Sequence, residues 1–279
     1  MSVAWRRFVA HRLALAGLVL IVGLAIVAAL ARQVAPHDPI RQDLPRALAA
    51  PSHDFPLGAD EFGRCILSRI LYGARLSLLV GVIATAIGAV TGILLGLLAG
   101  YFARLDALVM RTMEVLLAFP SILLAIAIVA ALGPSLVNVM IAVGLRSIPA
   151  YARLTRSMVL SLKELEFVQG VHALGAGHAR VLFRHILPNS VSPLVVFSSM
   201  QVATSILLAA ILSFLGLGVQ PPTPEWGKMV SDGRAYLLEA PHVSLFPGVA
   251  IFLTVLGFNC LGDGLRDALD PRMRAGVGE

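Results

Sequence analysis

The stretch KELEFVQGVHALGAGHARVLFRHILP, Lys163 to Pro188, is a long polar and basic insert between apolar segments, and its reading decides how the rest of the chain is arranged. Good helix formers occupy most positions from Glu166 to Leu174. Phe167, Val171 and Leu174 recur at helical spacing and lay out one apolar face, while Glu166, Gln169 and His172 stand ready for polar contacts. Gly170 and Gly175 break the pattern, and Val181 to Ile186 forms a second short helix ending at Pro188. A helix, a glycine break and another helix make a knob suited to a partner's groove. The same features also describe an ordinary loop.

What surrounds the insert settles the class. Hydrophobic residues make up 58% of the 279 and charged residues only 14%, against roughly 45–50% and 25% in soluble domains. Charges cluster between apolar runs of about 20 residues, the length an α-helix needs to cross a bilayer core of about 30 Å. The chain therefore reads as an all-α integral membrane protein with six transmembrane helices. Its net charge of +6 implies no nucleic-acid partner, because Lys and Arg mark the cytoplasmic loops of membrane proteins. Cys65 and Cys260 fall on opposite sides of the expected bilayer, so no disulfide framework is implied.

In chain order, residues 1–12 form a basic cytoplasmic N-terminus and 13–32 the first span. An n-region, an apolar run and the small residues Ala29 and Ala31 also sketch a signal peptide, but the run is longer than the usual h-region of roughly 7–15 residues. Residues 33–75 read as an extracytoplasmic loop with a short amphipathic helix built on Phe62, Ile66, Leu67 and Ile70. Residues 76–262 hold five further spans. In the first of them Gly88, Gly92, Gly96 and Gly100 repeat every four residues, which is a packing seam for another helix.

The next span kinks at Pro120, and Pro134 is placed to open the one after it. That fourth span carries Arg146, Arg153 and Arg156 and runs into a coupling loop over 157–188. Arg146 lies deep enough to require a cavity, a partner or a snorkelling side chain. Glu114 is level with Arg153 and is expected to pair with Arg153 or Arg156. On the fifth span Ser198, Gln201 and Ser205 share a face, with Thr204 adjacent. They are candidates either for lining a path or for bonding neighbouring helices. Trp226, in the proline-rich segment after that span, reads as an interfacial anchor or as a contact for an outer partner. Residues 263–279 form a cytoplasmic tail. The majority of the 22 Lys and Arg fall inside when the N-terminus is cytoplasmic, which places the 163–188 insert in the cytoplasm.

Glu166 to Asn189 resembles the EAA loop of ABC importer permeases, whose coupling helices fit a cleft on an ATPase subunit. Gln169, Gly170 and Val171 occupy the Glu-Ala-Ala positions, Gly175 the motif glycine, and Ile186, Leu187 and Pro188 its end. Gln169 replaces the namesake acid, with Glu166 one turn earlier. Four further stretches are similar to the C-type permease of dipeptide, oligopeptide and nickel importers: DFPLGADEFGRCILSRILYGARLSLLVG (54–81), LLAFPSILLAI (116–126), SFLGLGVQPPTPEWGKM (213–229) and FNCLGDGLRDALDPRMR (258–274).

The resemblance implies a type I ABC importer permease fold in a bacterial inner membrane, with both termini cytoplasmic. It implies a heterodimer with a B-type permease, two cytoplasmic ATPases that hold ATP and Mg, and an extracytoplasmic substrate-binding protein. ATPase coupling would fall to Glu166, Phe167, Gln169, Gly170, Val171, His172, Leu174 and Gly175. The chain carries no P-loop sequence of its own, so it is expected to be no enzyme and to bind no cofactor or metal. Peptide is the expected substrate, with nickel or another small solute as an alternative. An ion-coupled secondary transporter is the rival class, against which stands the scarcity of acids within spans.

Overall fold

The computed structural model describes Phe8 and residues 11–269. Arg6, Arg7, Arg272 and Arg274, which contribute to the expected cytoplasmic charge bias, lie outside them. Among the described residues the chain is helical, with one isolated bridge between Ala59 and Cys65. The helices of eight or more residues are α1 (Arg12–Ala29), α2 (Ile66–Tyr101), α3 (Ala103–Ala118), α4 (Ser121–Leu132), α5 (Leu136–Leu162), α6 (Glu166–Ala173), α7 (Leu187–Phe214), α8 (Trp226–Gly233) and α9 (His242–Leu269).

The centre of the bundle is α2, and its glycines explain why. A Cβ at Gly88 would lie 1.7 Å from Ser147 Oγ, at Gly92 2.6 Å from the Ile148 carbonyl, at Gly96 2.5 Å from that of Ala152, and at Gly100 2.6 Å from Val159 Cβ. The four-residue glycine repeat is thus the seam along which α5 lies, and rising numbers on both helices make the pair parallel. Hydrocarbon rewards no apolar burial, so close backbone approach and the dispersion it permits hold such a pair together. On its other faces α2 meets α7, with Gly81 against Ile206 and Val202. The helices α1 and α9 pack antiparallel, Gly17 against Gly257 and Cys260, and Gly264 against Ala14.

The helices α1, α2, α9 and the continuous His178–Phe214 rod are long and apolar enough to cross a membrane, and α3 with α4 adds a fifth candidate bent by 92°. This break at Phe119 and Pro120 is sharper than a simple kink. The bent pair still follows α5 from end to end. Asp106 reaches Arg156, Met113 packs on Ile148 and Ala152, and Val129 joins Val139 and Val143. At 27 residues α5 has the length of a span, but Arg146, Arg153 and Arg156 lower its hydropathy. Four to five spans are therefore evident from length and composition, where six were expected.

Three local expectations are corrected. Phe62 to Ile70 forms no separate amphipathic helix, since Ile66 opens α2 without interruption. The helix α5 starts at Leu136 on a Ser135 cap whose Oγ accepts from Asn138 N at 3.1 Å, rather than at Pro134. The second helix of the insert does not end at Pro188: His178–Arg180 and a π-turn over Val181–Ile186 run directly into α7, with Pro188 in its first turn. Proline is accommodated there because the π-turn just before it shifts the bonding register, Leu187 N donating to the Leu182 carbonyl five residues back.

Candidate functional site

The insert folds as a knob clamped to the ends of three long helices. Lys163 closes α5, and its Nζ donates to the Gly100 carbonyl at 3.3 Å, a cation at the negative end of α2. Glu166 occupies the first turn of α6, where the helix dipole favours an anion. The helix stops at Gly175, whose φ of 84° is left-handed. Gly175 N donates to the His172 carbonyl and Ala176 N to that of Val171, at 3.0 and 3.3 Å. Those two bonds are a Schellman cap, so the motif glycine is required by backbone geometry.

The two faces of α6 divide the work differently from the expected stripe. Val168, 3% exposed, and Val171 turn inward onto Leu97, Val159, Val181, Leu182 and Ile186. Phe167 and Leu174, expected beside Val171, instead point outward at 45% and 89% exposure. Gln169 is spent on the knob itself, its Nε2 donating to the Glu164 carbonyl at 3.1 Å. Glu166, Gly170 and His172 are exposed, and a Cβ at Gly170 would meet nothing within 4 Å. A cleft of about 610 Å³ opens between this knob and the end of α2, lined among others by Tyr101, Lys163, Gln169 and His172. On its wall Tyr101 Oη lies 3.0 Å from His178 Nδ1.

The α7 candidates separate. Ser198 Oγ accepts from Tyr151 Oη of α5 at 2.9 Å, and Ser205, fully buried, lies 3.1 Å from Thr85 Oγ1 of α2. Gln201 is 8% exposed. Thr204 is exposed and returns its hydroxyl to the Met200 carbonyl at 3.2 Å.

Arg156 takes Asp106 as its partner in a two-pronged contact, Nη2 to Oδ2 at 2.6 Å, where Glu114 had been the expected one. Asp106 stands about two helical turns nearer the start of α3 and meets Arg156 directly. Glu114 and Arg153 share a cavity of about 370 Å³ with Arg156 without forming an ion pair. Two nitrogens of Arg146, Nε and Nη1, are buried with no hydrogen-bond partner.

At the opposite end the loops form a cap whose polar centre the sequence did not advertise. Asp60 Oδ2 takes Arg64 Nε at 2.6 Å and Arg69 Nε at 3.3 Å, all three residues being buried. Arg69 Nη1 also donates to the carbonyls of Pro39 and Pro222, joining loops far apart in the chain. Asp60 and Arg64 lie in a turn ahead of α2 rather than on a helix face, so their four-residue spacing carried no helical pairing signal. Burial pushes the Glu61 carboxyl above its ordinary value.

Trp226 is neither an interfacial anchor nor a free outer contact. It is fully buried, its Nε1 donates to the Ile70 carbonyl at 3.0 Å, and its ring packs with Ile66, Ala74 and Met229. A buried indole needs such an acceptor, and the first turns of α2 supply one. Beside it Glu225 caps α8, accepting from Gly227 N and Lys228 N at 3.0 and 2.9 Å. Burial raises its carboxyl above the ordinary range, and those bonds together with Ser213 oppose the rise.

Residues 92–275 match the family described as binding-protein-dependent transport system inner membrane component, and residues 1–51 match the N-terminal TM domain of oligopeptide transport permease C. The glutathione transport system permease protein GsiD of Pectobacterium atrosepticum is 50% identical over 97% of this chain and 91% of its own length. The dipeptide transport system permease protein DppC of Alkalihalophilus pseudofirmus is 48% identical over 98% of this chain and 90% of its own. Among solved structures, the inward-facing MetNI methionine ABC transporter aligns with a TM-score of 0.58 at 18% identity, over 74% of this chain and 98% of that one, a likeness of fold. The glycine seam, the capped knob and matches along nearly the whole length converge, and the chain belongs to the family of binding-protein-dependent transport system inner membrane components.

Proposed function

We propose that this chain is one of two permease subunits of an ATP-driven importer for small peptides, glutathione or a dipeptide being the first to test. The observation that carries the reading is the knob. Its helix is capped at Gly175, its inner face is packed on the ends of α2, α5 and α7, and Phe167 and Leu174 are left uncovered. A partner that seats on Phe167 and Leu174 can pull on three long helices at once. In this family ATP hydrolysis is carried by separate ATPase subunits, and the general assembly includes a second permease and a binding protein.

In the proposed cycle, ATP and Mg close the two ATPases, the knobs of both permeases are drawn together, and the spans rock to open toward a loaded binding protein. Hydrolysis then resets them. We further propose that α5 and the bent pair each count as a span, which gives six and places both termini with the knob in the cytoplasm. Support for the bent pair is its course along the whole of α5; support for the orientation is the excess of Lys and Arg on the knob side. The relatives named for glutathione and dipeptide favour peptide over nickel.

The test is reconstitution of the chain with its partner permease, ATPases and binding protein in liposomes. ATP-dependent accumulation of labelled glutathione or dipeptide that requires the binding protein supports the reading. Accumulation driven by an ion gradient without ATP would return it to a secondary transporter.

A further inference from the structure

We propose that one face of α5, carrying Arg146, Arg153, Ser157 and Ser161, together with Glu114 of α3 and Asn189 of α7, is this subunit's wall of the translocation path, and that its charges receive the termini of a zwitterionic peptide. The proposal rests on the importer reading and deepens it.

The stripe is geometric. Successive α-helical residues turn by about 100°, so positions 146, 153, 157 and 161 fall within a sector of about 80° and descend over roughly 22 Å. Arg153, Ser157 and Ser161 are exposed, as is Ala150 between them. The glycine seam sets their depth, because Gly88 meets Ser147 and Gly96 meets Ala152 and Thr155. Arg146 therefore stands beside the middle of the apolar run of α2, and Arg153 about two turns further along. Guanidinium groups at that depth do not face hydrocarbon.

This chain also leaves those charges unanswered. Arg146 has two buried nitrogens without a partner, whereas Arg156, on the flank of the stripe, is fully occupied by Asp106. Arg153 and Glu114 open into the cavity of about 370 Å³ without pairing. Below them a second cavity of about 300 Å³ is lined by Ser157, Ser161 and Asn189. A cation and an anion held apart on one wall complement a carboxylate and an ammonium on one ligand, and hydroxyls and an amide continue the track without selecting side chains. By contrast Ser198 and Ser205 of α7 already bond neighbouring helices.

The test uses the assembled complex in liposomes. Ala150→Cys and Ser157→Cys are treated with a membrane-impermeant charged thiol reagent and compared with the parent chain and with Val90→Cys, an exposed apolar position of α2. The expected result is at least tenfold faster modification at the stripe than at Val90→Cys. Modification as slow as at Val90→Cys overturns the proposal. Arg153→Met and Glu114→Gln should each lower ATP-driven peptide uptake roughly tenfold, the scale of a lost charged hydrogen bond, while leaving the Ser157→Cys modification rate in place. Unchanged uptake in both would show that the charges do not meet the peptide. A parent complex that fails to take up peptide while its stripe is modified would sink the importer reading and leave the water-filled wall standing.

Discussion

Gly175 and Gly170 sit five residues apart in the same knob and answer to different physics. Gly175 holds φ at 84°, a region that costs a residue with a Cβ about 1–2 kcal/mol. Gly175→Ala should therefore weaken the α6 cap, read as faster amide exchange over residues 166–176. Gly170 has open space around it, and Gly170→Ala should add about 1 kcal/mol of helix propensity and slow the same exchange. The motif glycine was legible in the sequence because a left-handed cap leaves a compositional mark. The outward turn of Phe167 was not, because in so short a helix either Phe167 or Val168 can accompany Val171 on an apolar face. The decision is made by Leu97 and Val181.

Glu225 carries a pH prediction at the same scale. Its folded-state proton affinity is raised above the ordinary carboxyl value of 4.5, chiefly by burial. A carboxyl raised in the fold favours the protonated native state, so its contribution is fully present below about 4.5 and is lost as pH climbs through the raised folded value. Protection of the α8 loop should thus fall as pH rises from about 4.5 toward neutrality. Glu225→Gln removes the titrating group while keeping one oxygen to accept from either the Gly227 or the Lys228 amide, and its protection, lower overall, should be flat across that range.

Among the elements, the pairing of α2 with α5 was visible in advance because the glycine repeat at 88, 92, 96 and 100 has no other use in a helix. A Cβ at Gly92 already falls 2.5 Å from Tyr151 Cβ, so Gly92→Leu cannot be accommodated without separating the helices. That variant should fail to assemble with its partners, seen as loss of the complex in gel filtration, whereas Leu94→Ala on an exposed face of α2 should assemble normally. The outer cap was illegible for the opposite reason. Asp60, Arg69, Pro39 and Pro222 meet across separations of up to 153 residues, and pairings over such distances leave no local pattern. Ile66 to Ile70 read as part of a separate short amphipathic helix because its apolar spacing is real, but it opens α2, and Ile66 and Ile70 pack in one cluster with Trp226 and Met229.

For the whole molecule, the six expected spans and the four to five evident ones differ over α5 and the bent pair. The disputed helices are those that carry Glu114, Arg146 and Arg153. Charged residues lower the apolarity of a helix, and intramembrane charges turn away from lipid; under the proposed path, the difference in span number falls on the helices that would line it. Both ends of that region are fixed, by the buried cap on one side and the clamped knob on the other. In the proposed cycle, motion applied at α6 would reach α2, α5 and α7 together, because its inner face packs on their ends.

Coupling through that knob is the central claim, and it is measured most directly as peptide accumulated per ATP hydrolysed in liposomes holding the complete importer. Phe167→Asp with Leu174→Asp alters only exposed side chains of α6 and its C-cap and should leave the membrane subunits assembled. The account predicts that this double variant loses most of its uptake per ATP relative to the parent. Uptake per ATP equal to the parent's would contradict it and make the insert an ordinary loop.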